Sequence, residues 1–121
     1  MEFIAPGQFR TLSNPGVTSL QLLSPHNSKS SRVTITRVTV EPGASQPAHA
    51  HQSSEQIWVA LTGSGALLLA NGETCRLSAG EVVRFADGDI HGFKNTETGP
   101  FVYLSVTAPP IDSRYAHRDA K

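Results

Sequence analysis

An all-β sandwich or barrel is the fold class that the sequence predicts, and three observations predict it. Helical periodicity is nearly absent. Ten glycines and eight prolines recur between short runs of β-branched residues, a spacing that suits many short strands joined by turns. Asn71-Gly72 lies between two such runs, and Asn-Gly is the strongest short-range hairpin signal because both residues tolerate positive φ.

Each element follows in chain order. Val17 to Leu23 can supply a flanking strand, and the Ser-rich stretch from Ser24 to Ser31 reads as a mobile polar loop. Arg32 to Glu41 (RVTITRVTVE) is β-branched throughout and stops at Pro42-Gly43. Gln56 to Leu61 is the next strand, closed by Thr62-Gly63-Ser64-Gly65. Ala66 to Ala70 and Glu73 to Leu77 form the arms of the Asn-Gly hairpin. Strands follow at Glu81 to Phe85, His91 to Asn95 and Phe101 to Thr107, after which Pro109-Pro110 ends the sheet. The tail over 111–121 is polar, without strand pattern, and is expected to be disordered or to lie across a partner subunit.

A chain of 121 residues makes one domain, 1–121, and is long enough to bury a core without disulfides. The single cysteine, Cys75, excludes an internal disulfide and a Cys-rich zinc site. Mid-strand and without a His or acid beside it, its thiol is expected to be buried and inert. Ten basic and ten acidic side chains cancel, and the basic ones are scattered, which argues against a nucleic-acid surface. The start, Met1 to Gly7, has neither the charge nor the apolar run of a secretory signal. The longest apolar run, Ala66 to Ala70, is too short to span a bilayer. The expectation is a soluble, cytoplasmic protein.

The residues that carry chemistry are histidines. His49-Ala-His51 places two imidazoles at i and i+2, and on one extended strand alternate residues share a face. Imidazole is a common ligand of first-row divalent metals. Glu55 and Gln56 follow with oxygen donors, and His91, after Gly88, starts a predicted strand that an antiparallel barrel can bring across from the first pair.

Two glycine-framed blocks surround these residues. The first is Gly43-x5-His49-x-His51-x4-Gln56-x6-Gly63, and the second is Gly80-x5-Ala86-x-Gly88-x2-His91-x3-Asn95. They resemble the two motifs of the cupin superfamily, G-x5-H-x-H-x3–4-E-x6-G and G-x5-P-x-G-x2-H-x3-N, over roughly Arg32 to Thr107. The resemblance implies a double-stranded β-helix, a small single-domain cupin whose motif-bearing core is 32–107. It also implies one divalent metal ion held by His49, His51 and His91. Two positions depart from the pattern. Ala86 replaces the motif proline, which should loosen a turn without removing a ligand, and the motif glutamate position falls on Gln56 when counted back from Gly63.

Glu55 and Gln56 are therefore rivals for the fourth ligand, because neighbours on a strand face opposite ways. With Gln56 inward, Trp58, Ala60 and Thr62 share its face; with Glu55 inward, Ile57, Val59 and Leu61 do. The second set is the more core-like, yet spacing from the turn glycine favours Gln56. A neutral glutamine would leave the full charge on the ion, which strengthens its pull on a bound carbonyl or water. Either donor set is compatible with Mn, Fe, Co, Ni, Cu or Zn.

Trp58 can line the pocket or simply pack, and Tyr103 is the aromatic expected to touch a ligand, with Phe93 and Phe101 in the core. Arg37 is expected on a solvated outer face, His26 and His117 on the surface, and Asn95 in a turn-holding role. No nucleophile elbow or phosphate loop is present, so catalysis would run through the metal, with Glu55 a candidate base if it is not a ligand. The resemblance points to a small metalloenzyme acting on a small oxygenated molecule. That is an isomerase or ring-opening enzyme for sugar acids, or a dioxygenase. The alternative is a non-catalytic module that senses a small ligand. Barrels of this kind commonly pair through an exposed sheet, so a homodimer is expected.

Overall fold

The computed structural model describes residues 1–111; the readings of the polar tail beyond Ile111 and of His117 lie outside the described residues. Ten strands form in chain order. They are β1 (Arg10–Asn14), β2 (Val17–Leu23), β3 (Thr34–Val40), β4 (Ser45–His49), β5 (Glu55–Thr62), β6 (Ser64–Leu68), β7 (Thr74–Ser78), β8 (Val82–Phe85), β9 (His91–Lys94) and β10 (Phe101–Ala108). They make a six-stranded sheet in the order β1-β2-β3-β10-β5-β8 and a four-stranded sheet in the order β4-β9-β6-β7. The pairings are antiparallel. This is the all-β double-stranded β-helix expected from the two motifs. Among the described residues no helix is long and apolar enough to cross a membrane.

β10 shows why the sequence folds this way. Its residues alternate strictly between buried and half-buried, with Phe101, Tyr103, Ser105 and Thr107 inward, as a period of two demands of a strand with one face on a core. Phe101 stacks on Phe93 of the opposite sheet at 4.2 Å between ring centroids, and both are fully buried. Burying such a side chain contributes roughly 1.5–3 kcal/mol. The expected hairpin turn forms between β6 and β7. Asn71 and Gly72 both take positive φ, 62° and 74°, and the Glu73 amide donates to the Ala70 carbonyl.

Two strands escape the propensity argument. β1 is a polar edge strand with no strong strand signal, held by its pairing to β2. β4 contains Pro47, tolerated because β4 is the edge of its sheet, where a missing N–H breaks no ladder. The Ser-rich loop also differs from expectation. Glu2 accepts hydrogen bonds from the Ser28 hydroxyl (2.7 Å) and the Lys29 amide (2.9 Å), while the Asn27 amide donates to the Leu22 carbonyl. Polar composition alone does not reveal that a distant N-terminal carboxylate pins the loop. Cys75 is exposed, not buried, because β7 is an edge strand that nothing among the described residues covers there. Arg37 is exposed, as expected of the outer face.

Candidate metal centre

The site is built where β4 meets β9. Gln46 pairs with Phe93, but the next pair is His49 with His91, so β4 carries one residue more than its partner. Such a bulge bends a strand and re-aims its side chains. Here it sets His49 directly opposite His91. The partner at the bulge is Gly92, where a Cβ would lie only 2.7–2.8 Å from the Gln46 carbonyl oxygen and the Ala48 backbone. A glycine is needed because the backbone of β4 presses against it.

His51 lies beyond the end of β4, which corrects the expectation that His49 and His51 share one strand. Its position is set instead by the β8–β9 turn, since the Gly88 amide donates to the His51 carbonyl at 2.8 Å. Gly88 turns with φ 83°. In the same turn the Ala86 amide donates to Asp89 Oδ2 at 2.9 Å. A proline could not make that bond, so alanine at the motif-proline position substitutes one constraint for another. One turn thus holds His51 through Gly88 and, through the Asp89 carbonyl, His91.

The imidazoles are oriented from behind. His91 Nδ1 donates to the Asp89 carbonyl at 3.0 Å, and His49 Nδ1 donates to the Pro47 carbonyl at 2.9 Å. A proton on Nδ1 leaves Nε2 bare, the arrangement by which proteins prepare histidine as a ligand. The Nε2 atoms of His49 and His51 are 3.1 Å apart, and donor atoms of His49, His51 and His91 all lie within 4.8 Å of one another. Burial pushes the His91 pKa down to about 4, so this ring is neutral near pH 7 and able to offer its lone pair.

Gln56 lies beside these histidines. Its amide nitrogen donates to Thr107 Oγ1 at 3.0 Å, so its oxygen faces His91 Nε2 at 2.9 Å. Three imidazoles and an amide oxygen are donors of the kind that suits a first-row divalent ion. Bonds of about 2.1 Å at right angles put neighbouring donors about 3 Å apart, and the 2.9 and 3.1 Å separations match that spacing. The three histidines are positioned to bind a metal.

Glu55 faces the other way. Its carboxylate accepts from Arg84 Nε at 2.9 Å on the outer side of the sheet, and it does not line the cavity. This corrects its candidacy as ligand or base. Trp58 and Ala60, on the Gln56 face, are buried, while Leu61 on the opposite face is 44% exposed. The more hydrophobic face of β5 is therefore the outer one.

His49, His51 and Gln56 line a cavity of about 1130 Å³. Trp58 and Tyr103 stack at 4.2 Å and both line it. Trp58 also packs edge-on against His91 at 5.6 Å, so it serves at once as wall and as packed core. Burial raises the Tyr103 pKa above its ordinary value, and the protonated phenol donates to Gln46 Oε1 at 2.9 Å. Asn95, fully buried, donates to the Val40 and Gly99 carbonyls and accepts from the Glu97 amide, the turn-holding role expected of it. His26 is exposed at the cavity mouth. Sequence reasoning missed Thr107, Asp89, Gly92 and the cavity-lining Arg10. Thr107 and Arg10 could have been flagged only by inward parity on their strands, and Gly92 and Asp89 only by adjacency to His91.

A cupin-domain family model matches residues 36–107. The chain belongs to the cupin family. Solved structures agree on the fold. KdgF from Halomonas sp. superposes with a TM-score of 0.77 at 20% identity, over 94% of this chain and 98% of that one. The polyketide cyclase RemF from Streptomyces resistomycificus gives 0.76 at 25% identity, over 91% and 80%. A predicted oxalate decarboxylase from Thermotoga maritima gives 0.74 at 24%, over 90% and 100%. No curated protein matches the chain. The activities named for these cupins differ, so the fold leaves the reaction to the site.

Proposed function

We propose that this cupin is a metalloenzyme that isomerises or opens the ring of a small oxygenated molecule such as a sugar acid. One divalent transition ion per chain is held by His49, His51, Gln56 and His91. The observation that carries this reading is the convergence of three imidazoles and one amide oxygen beside a cavity large enough for such a molecule. KdgF and a sugar phosphate isomerase of the cupin superfamily from Silicibacter pomeroyi are among the structurally similar proteins. An ion at this site would polarise a substrate carbonyl or lower the pKa of a water.

The chain's own residues bind and orient. Neutral His91 keeps its Nδ1 proton on the Asp89 carbonyl, and the Gln56 amide nitrogen donates to Thr107 Oγ1. Trp58 and Tyr103 supply a flat apolar wall against which a ring can rest. Among the described residues no carboxylate lines the cavity, so no acidic side chain there is placed to move a proton. That same feature favours one competing reading, a module that binds a small ligand without turning it over.

The test is metal analysis of protein purified without chelator, followed by incubation of the loaded protein with sugar acids and diphenols, with and without oxygen. Stoichiometric metal that His51→Ala abolishes, and anaerobic conversion of a sugar acid, support the proposal. Oxygen-dependent turnover of a diphenol would reassign the enzyme as a dioxygenase. Thermal stabilisation by a ligand with no turnover would make it the sensor, and absence of metal binding would remove the reading altogether.

We also take the chain to be a single cytoplasmic domain that forms a homodimer. The outer face of the six-stranded sheet supports pairing: Ile57, Val59, Leu104 and Val106 point outward beside Val82, which is 62% exposed. Sedimentation at micromolar concentration checks this, and a monomer would remove it.

A further inference from the structure

One row of mostly polar side chains crosses the wall of the cavity. Arg10 on β1 pairs with Gln21 on β2, Gln21 with Thr36 on β3, Thr36 with Ser105 on β10, and Ser105 with Trp58 on β5. All five line the cavity. Burial increases along the row: Arg10 is exposed at the mouth, Gln21 and Thr36 are half-buried, Ser105 and Trp58 are buried. Trp58 touches His91, so the row runs from solvent to the histidine cluster.

An inward-facing row packed on a core is ordinarily apolar, and two to four residues toward one end of the same strands it is: Val17, Val38, Val40 and Phe101 are buried. Gln21, Thr36 and Ser105 break that rule. None of them makes a side-chain hydrogen bond with another described residue, and Arg10 has no ion-pair partner among them. Their polar groups line the cavity, where they can meet a ligand. Arg10 is also the one permanently charged side chain on the lining among the described residues, with no Asp, Glu or Lys beside it.

We infer that Arg10, Gln21, Thr36 and Ser105 form a second subsite that takes the anionic, hydroxyl-rich part of a ligand whose reacting end sits at the histidines. The chemistry follows from the donors. Guanidinium pairs with a carboxylate or phosphate through two N–H groups, and hydroxyl and amide side chains both donate and accept, as ligand hydroxyls do. Length follows from the register. Strands lie about 4.8 Å apart, so the four steps from Arg10 to Trp58 cover roughly 19 Å along the curved sheet. We take the ligand to be elongated, larger than one sugar ring, with its ends toward Arg10 and toward the histidines. β1 and β2 lie outside residues 36–107, the part matched by the family model, so Arg10 and Gln21 come from the segment that precedes the shared core, while Thr36 and Ser105 belong to it.

The inference rests on the proposed reading of the cavity as a substrate site, and calorimetry on metal-loaded protein tests it separately. The probes are a glucuronate-containing disaccharide, glucuronate, and cellobiose as neutral control. The acidic disaccharide should bind at least tenfold more tightly than glucuronate or cellobiose. Arg10→Gln should weaken it about tenfold or more while leaving cellobiose binding and metal content unchanged. Thr36→Val should weaken both disaccharides, with Thr36→Ser restoring them. Equal affinity of wild type and Arg10→Gln for the acidic disaccharide would overturn the inference with the metal reading intact, as would failure of every probe to bind. Arg10-dependent binding by protein that takes up no metal would uphold the subsite and sink the metal reading instead.

Discussion

Oε1 of Gln56 stands 2.9 Å from Nε2 of His91. The contact joins β5 of one sheet to β9 of the other. It also separates Gln56 from its neighbour Glu55, whose carboxylate lies on the opposite side of the same strand with Arg84.

The two residues should therefore respond differently to removal. Gln56→Ala is expected to lower metal affinity by at least about tenfold, measured by competition with a chelator, because it deletes a donor. Glu55→Ala should leave metal affinity within twofold of wild type and change stability little, since its ion pair is solvent-exposed. The reverse order of effects would return Glu55 to the site.

Thr107 is a positioning residue for the same donor, because it accepts the Gln56 N–H and so turns the amide oxygen inward. Thr107→Val removes that acceptor, and metal affinity should fall about 10–100-fold, the usual effect of losing an outer-shell partner. Thr107→Ser keeps the hydroxyl and should recover it. The side-chain amide resonances of Gln56 report the same change without metal; unaltered resonances in the valine variant would remove Thr107 from this role.

Gly92 sits under the β4 bulge, with no room for a methyl group against Gln46 and Ala48. Gly92→Ala should destabilise the fold by about 1–3 kcal/mol, as overpacking does, and displace His49 from His91. Denaturant melts and metal titration together check this. A variant with wild-type affinity would show that the bulge is not what aims His49.

The pKa of His91 is lowered by burial to about 4 from an ordinary 6.5. Above pH 6.5 the ring is neutral both folded and unfolded, and its burial adds no pH dependence. As pH falls from 6.5 toward 4, the unfolded chain takes up a proton that the folded protein refuses, so stability declines across that window. Melting temperatures of the metal-free protein should drop over this range more steeply than those of metal-free His91→Gln. Parallel curves would mean that His91 is not the group responsible.

Much of the site was legible without coordinates because its spacing is local. Gly43, Gly63, Gly80 and Gly88 all take positive φ, which few other residues adopt, and such turns set where each strand starts. Counting from Gly63 therefore placed Gln56 correctly on the inner face. The hydrophobic contrast on β5 pointed the other way, because Ile57, Val59 and Leu61 belong to an outer face that one strand's sequence does not distinguish from an inner one.

The sequence by itself determined the all-β class, the hairpin at Asn71-Gly72, the glycine-framed blocks and the three histidines. These depend on backbone preferences within a few residues. Only the tertiary structure decided that a bulge faces Gly92, that His51 hangs from the β8–β9 turn, that Glu55 turns outward and that Arg10 heads a polar row across four strands. Those relations depend on the register between strands distant in the chain, and register is settled by the packing of the whole barrel.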